Sequence, residues 1–122
     1  MHQEIGIIDE LRPHPEVERI FQPLPDDQQK ALAQAMADGR PFAPLLVDHQ
    51  NRIMAGVETW RAARTLGWRR ISLVRAPRLD PRQAAALIVA ENIATLELRT
   101  QHTYRAMNNF FDMAPLRPPG GW

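Results

Sequence analysis

Two stretches of this chain carry residue types at spacings that could do chemistry. In the first, Arg52 to Trp68, a short apolar run (Ile53, Met54, Ala55) meets Gly56, and a helical pattern follows as far as Gly67. A glycine between strand and helix lets the backbone turn sharply and approach a ligand closely. The helix then opens with unpaired N–H groups and a positive dipole end, a seat for phosphate or carboxylate. Ala62, Ala63 and Leu66 share one face, with Arg61 and Arg64 expected roughly opposite. A plain α/β connection with a glycine and surface arginines explains the same stretch without any ligand. The second stretch is Glu91-Asn92, directly after seven apolar residues from Ala84 to Ala90. A carboxylate so placed must be paired, hydrogen-bonded or turned into a cleft, because burying it alone is costly. Restricted solvent gives Glu91 the best claim to chemistry; a structural hydrogen bond is the competing reading.

Charge distribution points the same way. Net charge is only +1, but eight arginines lie between Arg52 and Arg82 against two acids, Glu58 and Asp80. A locally basic segment suits phosphate, on a nucleotide or along a nucleic acid. The competing reading is that arginine is the chain's usual solubilising residue, since Lys30 is its one lysine. His14, between two prolines, and His49, at a turn, are expected to be loop residues.

The elements that must position these groups can be read in order. Residues 4–8 predict an opening strand, and Leu11 to Pro15 a break in regular structure. Pro25-Asp26-Asp27 starts a helix over about 26–38, burying Leu32, Ala35 and Met36 and stopping at Gly39. Leu45-Leu46-Val47 reads as a buried strand, with Arg52–Ala55 returning as its hairpin partner. Ile71–Arg75 is a further strand. Asp80 caps a helix with Pro81 in its first turn, running from Arg82 to about Leu98, its middle expected to be buried nearly all round. Thr100 caps a last helix through about Met113, with Tyr104, Met107, Phe110 and Phe111 on its apolar face. Arg117 to Trp122 reads as a disordered tail.

At 122 residues one domain is expected, and its composition, 44% hydrophobic and 24% charged, is that of a soluble globular protein. There are no cysteines, which excludes disulfides, thiolate metal sites and cysteine nucleophiles. No signal peptide and no membrane span are expected, so a cytoplasmic address is.

The order of these words resembles the N-terminal domain of ParB proteins, over roughly residues 4–98. Two motifs carry the resemblance. Gly56, Trp60, Arg61, Ala62 and Ala63 stand where that family has Gly-Glu-Arg-Arg-x-Arg-Ala, and Glu91-Asn92 matches its Glu-Asn-x-x-Arg. The resemblance implies an α+β fold of the ParB/sulfiredoxin-like kind, a small mixed sheet with packed helices. Residues 1–98 would form it, 99–114 a C-terminal helix and 115–122 the tail.

It further implies a nucleoside triphosphate, CTP first and ATP next, bound with Mg²⁺. Gly56 would make the phosphate turn, with Glu58, Thr59 and Arg61 beside the phosphates and Arg40 compensating from another direction. Glu91 would act on metal or water, and Asn92 would bond to phosphate or backbone or join Glu91 on the metal. Two family arginines fall on Thr59 and Thr95 in this sequence. Threonine donates one neutral hydrogen bond, so two charge-assisted contacts of roughly 1.5–3 kcal/mol each are replaced. Sulfiredoxin chemistry is excluded for want of cysteine.

The expected function is thus a stand-alone ParB-like nucleotide-binding domain, with weak triphosphatase activity at most, linked to DNA segregation or another DNA-associated process. The alternative is a non-catalytic module of the same fold. It would bind a protein partner or a second copy through the C-terminal helix, or nucleic acid through the arginine-rich face. A nuclease ranks last, because no second carboxylate stands at two-metal spacing.

Overall fold

The computed structural model describes residues 2–93. The chain divides into two compact units, Met1–Ile88 and Val89–Trp122. The expected C-terminal helix, the tail and Thr95 lie outside the described residues.

The first unit is built on a mixed five-stranded sheet. In chain order come β1 (Gln3–Ile7), a 3₁₀ turn (Ile8–Glu10), β2 (Arg12–Pro13), α1 (Pro15–Ile20), α2 (Asp26–Ala37), β3 (Leu45–Val47), β4 (Arg52–Ala55), α3 (Val57–Thr65) and β5 (Arg70–Arg75). A further helix, α4, occupies 81–93 and crosses into the second unit. The sheet order is β1-β5-β3-β4-β2. β1 and β5 are antiparallel, as are β3 and β4, while β3 with β5 and β2 with β4 run parallel. This is the α+β class that the resemblance implies, and the 45–47/52–55 hairpin and the helix after Gly56 stand where expected.

The core lies between the sheet and the helices. Leu45, Val47, Ile53 and Leu73 are fully buried, joined by Met36 from α2, by Val57, Trp60 and Ala63 from α3, and by Ile88 from α4. Register shifts between Leu46 and Val47 where β3 meets β4, and such an irregularity breaks the strict in–out alternation. Neighbouring Ile53 and Met54 are accordingly both buried. Trp60 fixes the other end of the core by donating its indole N–H to the Ile8 carbonyl at 3.0 Å.

Three expectations need correction. The proline-rich segment is not irregular: Pro13 lies in β2, at the sheet's edge, where a missing N–H breaks no ladder. Pro15 opens α1, with His14 as its N-cap, buried and accepting at Nδ1 from the Glu16 N–H at 3.1 Å. In α2 the buried pair is Ala33 and Met36, with Leu32 and Ala35 half-buried, so the inward stripe is rotated from the predicted one. The apolar run of α4 is not buried all round, since Ile88 is buried but Ala86 and Ala90 are exposed. Alanine contributes little area to bury, and one large residue sets the inward face.

Candidate functional site

Gly56 ends β4 and caps α3 in the left-handed region, φ 95° and ψ 17°. It has no side chain to accept from the first N–H groups of α3, so that helix start carries no side-chain cap. A Cβ at Gly56 would come 2.6 Å from Leu45 Cδ2. Glycine is therefore required here by backbone conformation and by packing, independently of any ligand.

One turn on, Glu58 and Arg61 form a pair, Oε1 to Nη1 at 3.4 Å, with side chains 21% and 32% exposed. This pair stands where two clefts meet. The larger, about 410 Å³, lies between α2 and α3 and is lined by Asp26, Gln29, Lys30 and Thr65 among others, with Glu58 and Arg61. The smaller, about 240 Å³, lies between α3 and the segment of α1 and its exit, lined by Val17, Phe21, Gln22 and Val57 with the same two residues. Glu58 Oε2 is buried, with no hydrogen-bond partner among the described residues. A half-satisfied carboxylate at a cleft wall is an acceptor for a donor group or a cation. It also sits in the first turn of α3, where the helix dipole favours a negative charge. Any anion at that N-terminus must therefore contend with Glu58.

Arg61 is not opposite the buried face, as the helical wheel suggested, but lines both clefts, the larger one together with Ala62. Arg64 is the exposed one, its guanidinium 4.7 Å from the centre of the Trp60 ring. Two of the cluster arginines serve the fold. Arg52 donates Nε to Asp48 Oδ2 at 2.7 Å, and Arg75 donates Nη1 to the Asp48 carbonyl at 2.7 Å and to Asn51 Oδ1 at 3.1 Å. Arg69, Arg70, Arg78 and Arg82 are exposed.

Of the other expected site residues, half-buried Thr59 and exposed Arg40 line neither cleft; Arg40 closes the far end of α2, donating its N–H to the Ala35 carbonyl at 3.0 Å. Glu91 is exposed and Asn92 half-buried on α4, within the second unit. Among the described residues no three His, Asp or Glu side chains gather as a cation site.

Two buried polar groups escaped the sequence reading. Asp48 Oδ1 accepts from the Gln50 and Arg52 N–H groups, both at 2.8 Å. Burial alone would raise its pKa, but these bonds and the Arg52 guanidinium outweigh it and hold the carboxyl below its ordinary value. His14 is held below its ordinary value by burial first and by Arg52 second. The signals were present: an aspartate before a polar turn, and His-Pro-Glu as a helix start.

No protein-family model matches this chain, and no curated protein matches its sequence. Solved structures do. Chromosome-partitioning ParB from Caulobacter crescentus, truncated at its C-terminus and complexed with CTP-γ-S, superposes with a TM-score of 0.67 at 18% identity, over 93% of this chain and 67% of that one. Two structures of a pNOB8-like ParB N-domain give 0.59 and 0.57 at 14% and 16% identity, each over 98% of this chain. The chain spans 55% and 52% of their respective lengths, about half. At such identities shared architecture is what the likeness establishes. With its mixed sheet, its glycine-led α3 and these superpositions, the chain has a ParB N-terminal-domain-like fold.

Proposed function

We infer that this chain is a ParB-like, partition-related domain that binds a nucleoside triphosphate, with CTP favoured over ATP. The observation that carries this reading is the likeness to a ParB complexed with CTP-γ-S, in a chain whose α3 opens uncapped after Gly56. Phosphate oxygens would take the free N–H groups at the start of α3. Arg61 would supply the charge-assisted contact that Thr59 cannot make, by leaving its long bond to Glu58. Mg²⁺ would arrive with the nucleotide, since it draws most of its ligands from phosphate and water and needs only one or two carboxylates. Glu58 Oε2 suits a cation as a buried acceptor without a partner, and Glu91 with Asn92 is the pair offered by the motif resemblance. Any triphosphatase activity would fall to Glu91.

A second reading has its own support. Glu58 already places negative charge at the α3 N-terminus, and Arg61 already has a partner, which favours a non-catalytic interaction module.

The deciding experiment is a thermal-shift series with CTP, ATP, GTP and UTP, with and without Mg²⁺. A ligand that binds only the folded state stabilises it by about 2.7 kcal/mol at a hundredfold excess over its Kd. A shift specific to one nucleotide supports the first reading. Arg61→Ala should then weaken that nucleotide by about 10- to 100-fold, the loss of one charge-assisted bond. No shift with any nucleotide at millimolar concentration would refute nucleotide binding and leave the interaction module.

A further inference from the structure

Among the described residues His14 is the buried histidine, 7% exposed, and the fold uses both its backbone and its ring. Its N–H donates to the Ile53 carbonyl at 3.0 Å, which ties it to β4. Its carbonyl accepts from the Val17 and Glu18 N–H groups at 3.0 and 3.4 Å. Its ring caps α1, with Nδ1 accepting from the Glu16 N–H at 3.1 Å. A ring nitrogen that accepts carries no hydrogen, so the proton of the neutral imidazole sits on Nε2. An imidazolium has hydrogen on both nitrogens and cannot make this cap. The charges around the ring keep it neutral. Arg52 faces it from β4, Asp48 from the turn before β4, and Glu16 from α1 itself. Each carboxylate already has a guanidinium partner, Asp48 on Arg52 and Glu16 on Arg19, both at 2.7 Å. Burial and Arg52 accordingly outweigh the two acids and hold His14 below its ordinary value.

The element this cap holds is α1, six residues long, and helices so short do not persist on their own. Val17 and Glu18 from α1 and Phe21 just after it form one wall of the smaller cleft, which Val57, Glu58 and Arg61 of α3 complete. We propose that His14 is a proton-operated latch on that wall: protonation at Nδ1 removes the cap, the first turn of α1 opens, and the smaller cleft loses its shape. Opening frees the imidazolium from burial and from the Glu16 N–H that points at it, so the open form binds the proton more tightly than the capped one. By linkage, acid favours the open form from about pH 6.5 downward. Glu16 and Asp48 are both held below their ordinary values and keep their charges as that change begins, so it belongs to the imidazole. The latch needs no ligand and stands or falls separately from nucleotide binding.

Amide hydrogen exchange followed by NMR tests this, on the full chain without nucleotide, from about pH 7.5 to about pH 5. Protection corrected for the intrinsic effect of pH should fall about 2- to 30-fold at Val17 and Glu18, the loss of one N-cap, while the amides of α2 hold theirs. His14→Asn supplies a side-chain oxygen that caps a helix and takes up no proton in this range, so its α1 amides should keep one level of protection throughout. A wild-type α1 that stays protected in acid overturns the proposal. So does a folded His14→Asn chain with the wild-type acid response, or a loss shared equally by α1 and α2. Should His14→Asn fail to fold, the imidazole nitrogen signals of the wild-type chain decide. They should show the proton on Nε2 at neutral pH and titrate together with the loss at Val17 and Glu18; a proton on Nδ1, or a loss with a different midpoint, overturns the latch.

Discussion

Gly56→Ala separates what the fold demands of this glycine from what a ligand would. Two costs are expected. Alanine at φ 95° enters the left-handed region, about 1–2 kcal/mol. Its Cβ would also lie 2.6 Å from Leu45 Cδ2, the tip of a fully buried side chain that must shift, and overpacking of this kind costs about 1–3 kcal/mol. A total of about 2–5 kcal/mol should appear as a lowered urea midpoint with unchanged m-value. Leu45→Ala provides the control. It removes Cδ2 and leaves the Leu45 Cα at 3.5 Å, ordinary contact, so the clash disappears while the backbone cost remains. In that background Gly56→Ala should cost only about 1–2 kcal/mol. The difference between backgrounds is the coupling energy. Equal costs in both backgrounds would refute the packing explanation, and a loss below about 0.5 kcal/mol in the wild-type background would refute both causes. Loss of nucleotide binding in Gly56→Ala is interpretable only once this instability has been measured.

Two further predictions concern groups that hold the frame of the site. Asp48 has a depressed folded-state pKa, so its stabilisation is present above the ordinary carboxylate pKa of about 3.9 and is lost as pH falls through the lower folded value. Stability measured from pH 6 downward should show this loss; Asp48→Asn should be less stable at neutral pH and flatter with acid, and an unchanged acid slope would remove Asp48 as its source. Asp80 Oδ1 accepts from the Gln83 N–H at 2.8 Å while Gln83 Oε1 accepts from the Asp80 N–H at 3.1 Å, a reciprocal cap on α4. Asp80→Ala should cost about 0.5–2 kcal/mol in urea unfolding while Asp80→Asn keeps most of it, and equal effects of the two would argue against capping.

Much of this architecture was legible before any coordinates, and for local reasons. Helix α2 between an acidic first turn and Gly39, the β3–β4 hairpin, the glycine-led α3, strand β5 and the Asp80 cap are each dictated by periodicity and by residues within a few positions of one another. These signals act over short range in the chain, so one sequence suffices to read them. What the tertiary structure decided depends on which faces meet. Pro13 enters a sheet, and His14 beside it is buried, because β2 pairs with β4. Arg61 turns to the clefts, although its spacing suggested solvent, because α2 packs along that side of α3. Arg52 and Arg75 are drawn from an apparently basic surface into the Asp48 turn, which brings together residues 27 positions apart. The need for glycine at 56 is set equally by its own φ and by Leu45 from another strand. An arginine's role depends on whether a carboxylate or carbonyl from elsewhere in the chain reaches it first, and a glycine's on what packs against it. Neither is encoded within a single turn of sequence, and folding alone decides both.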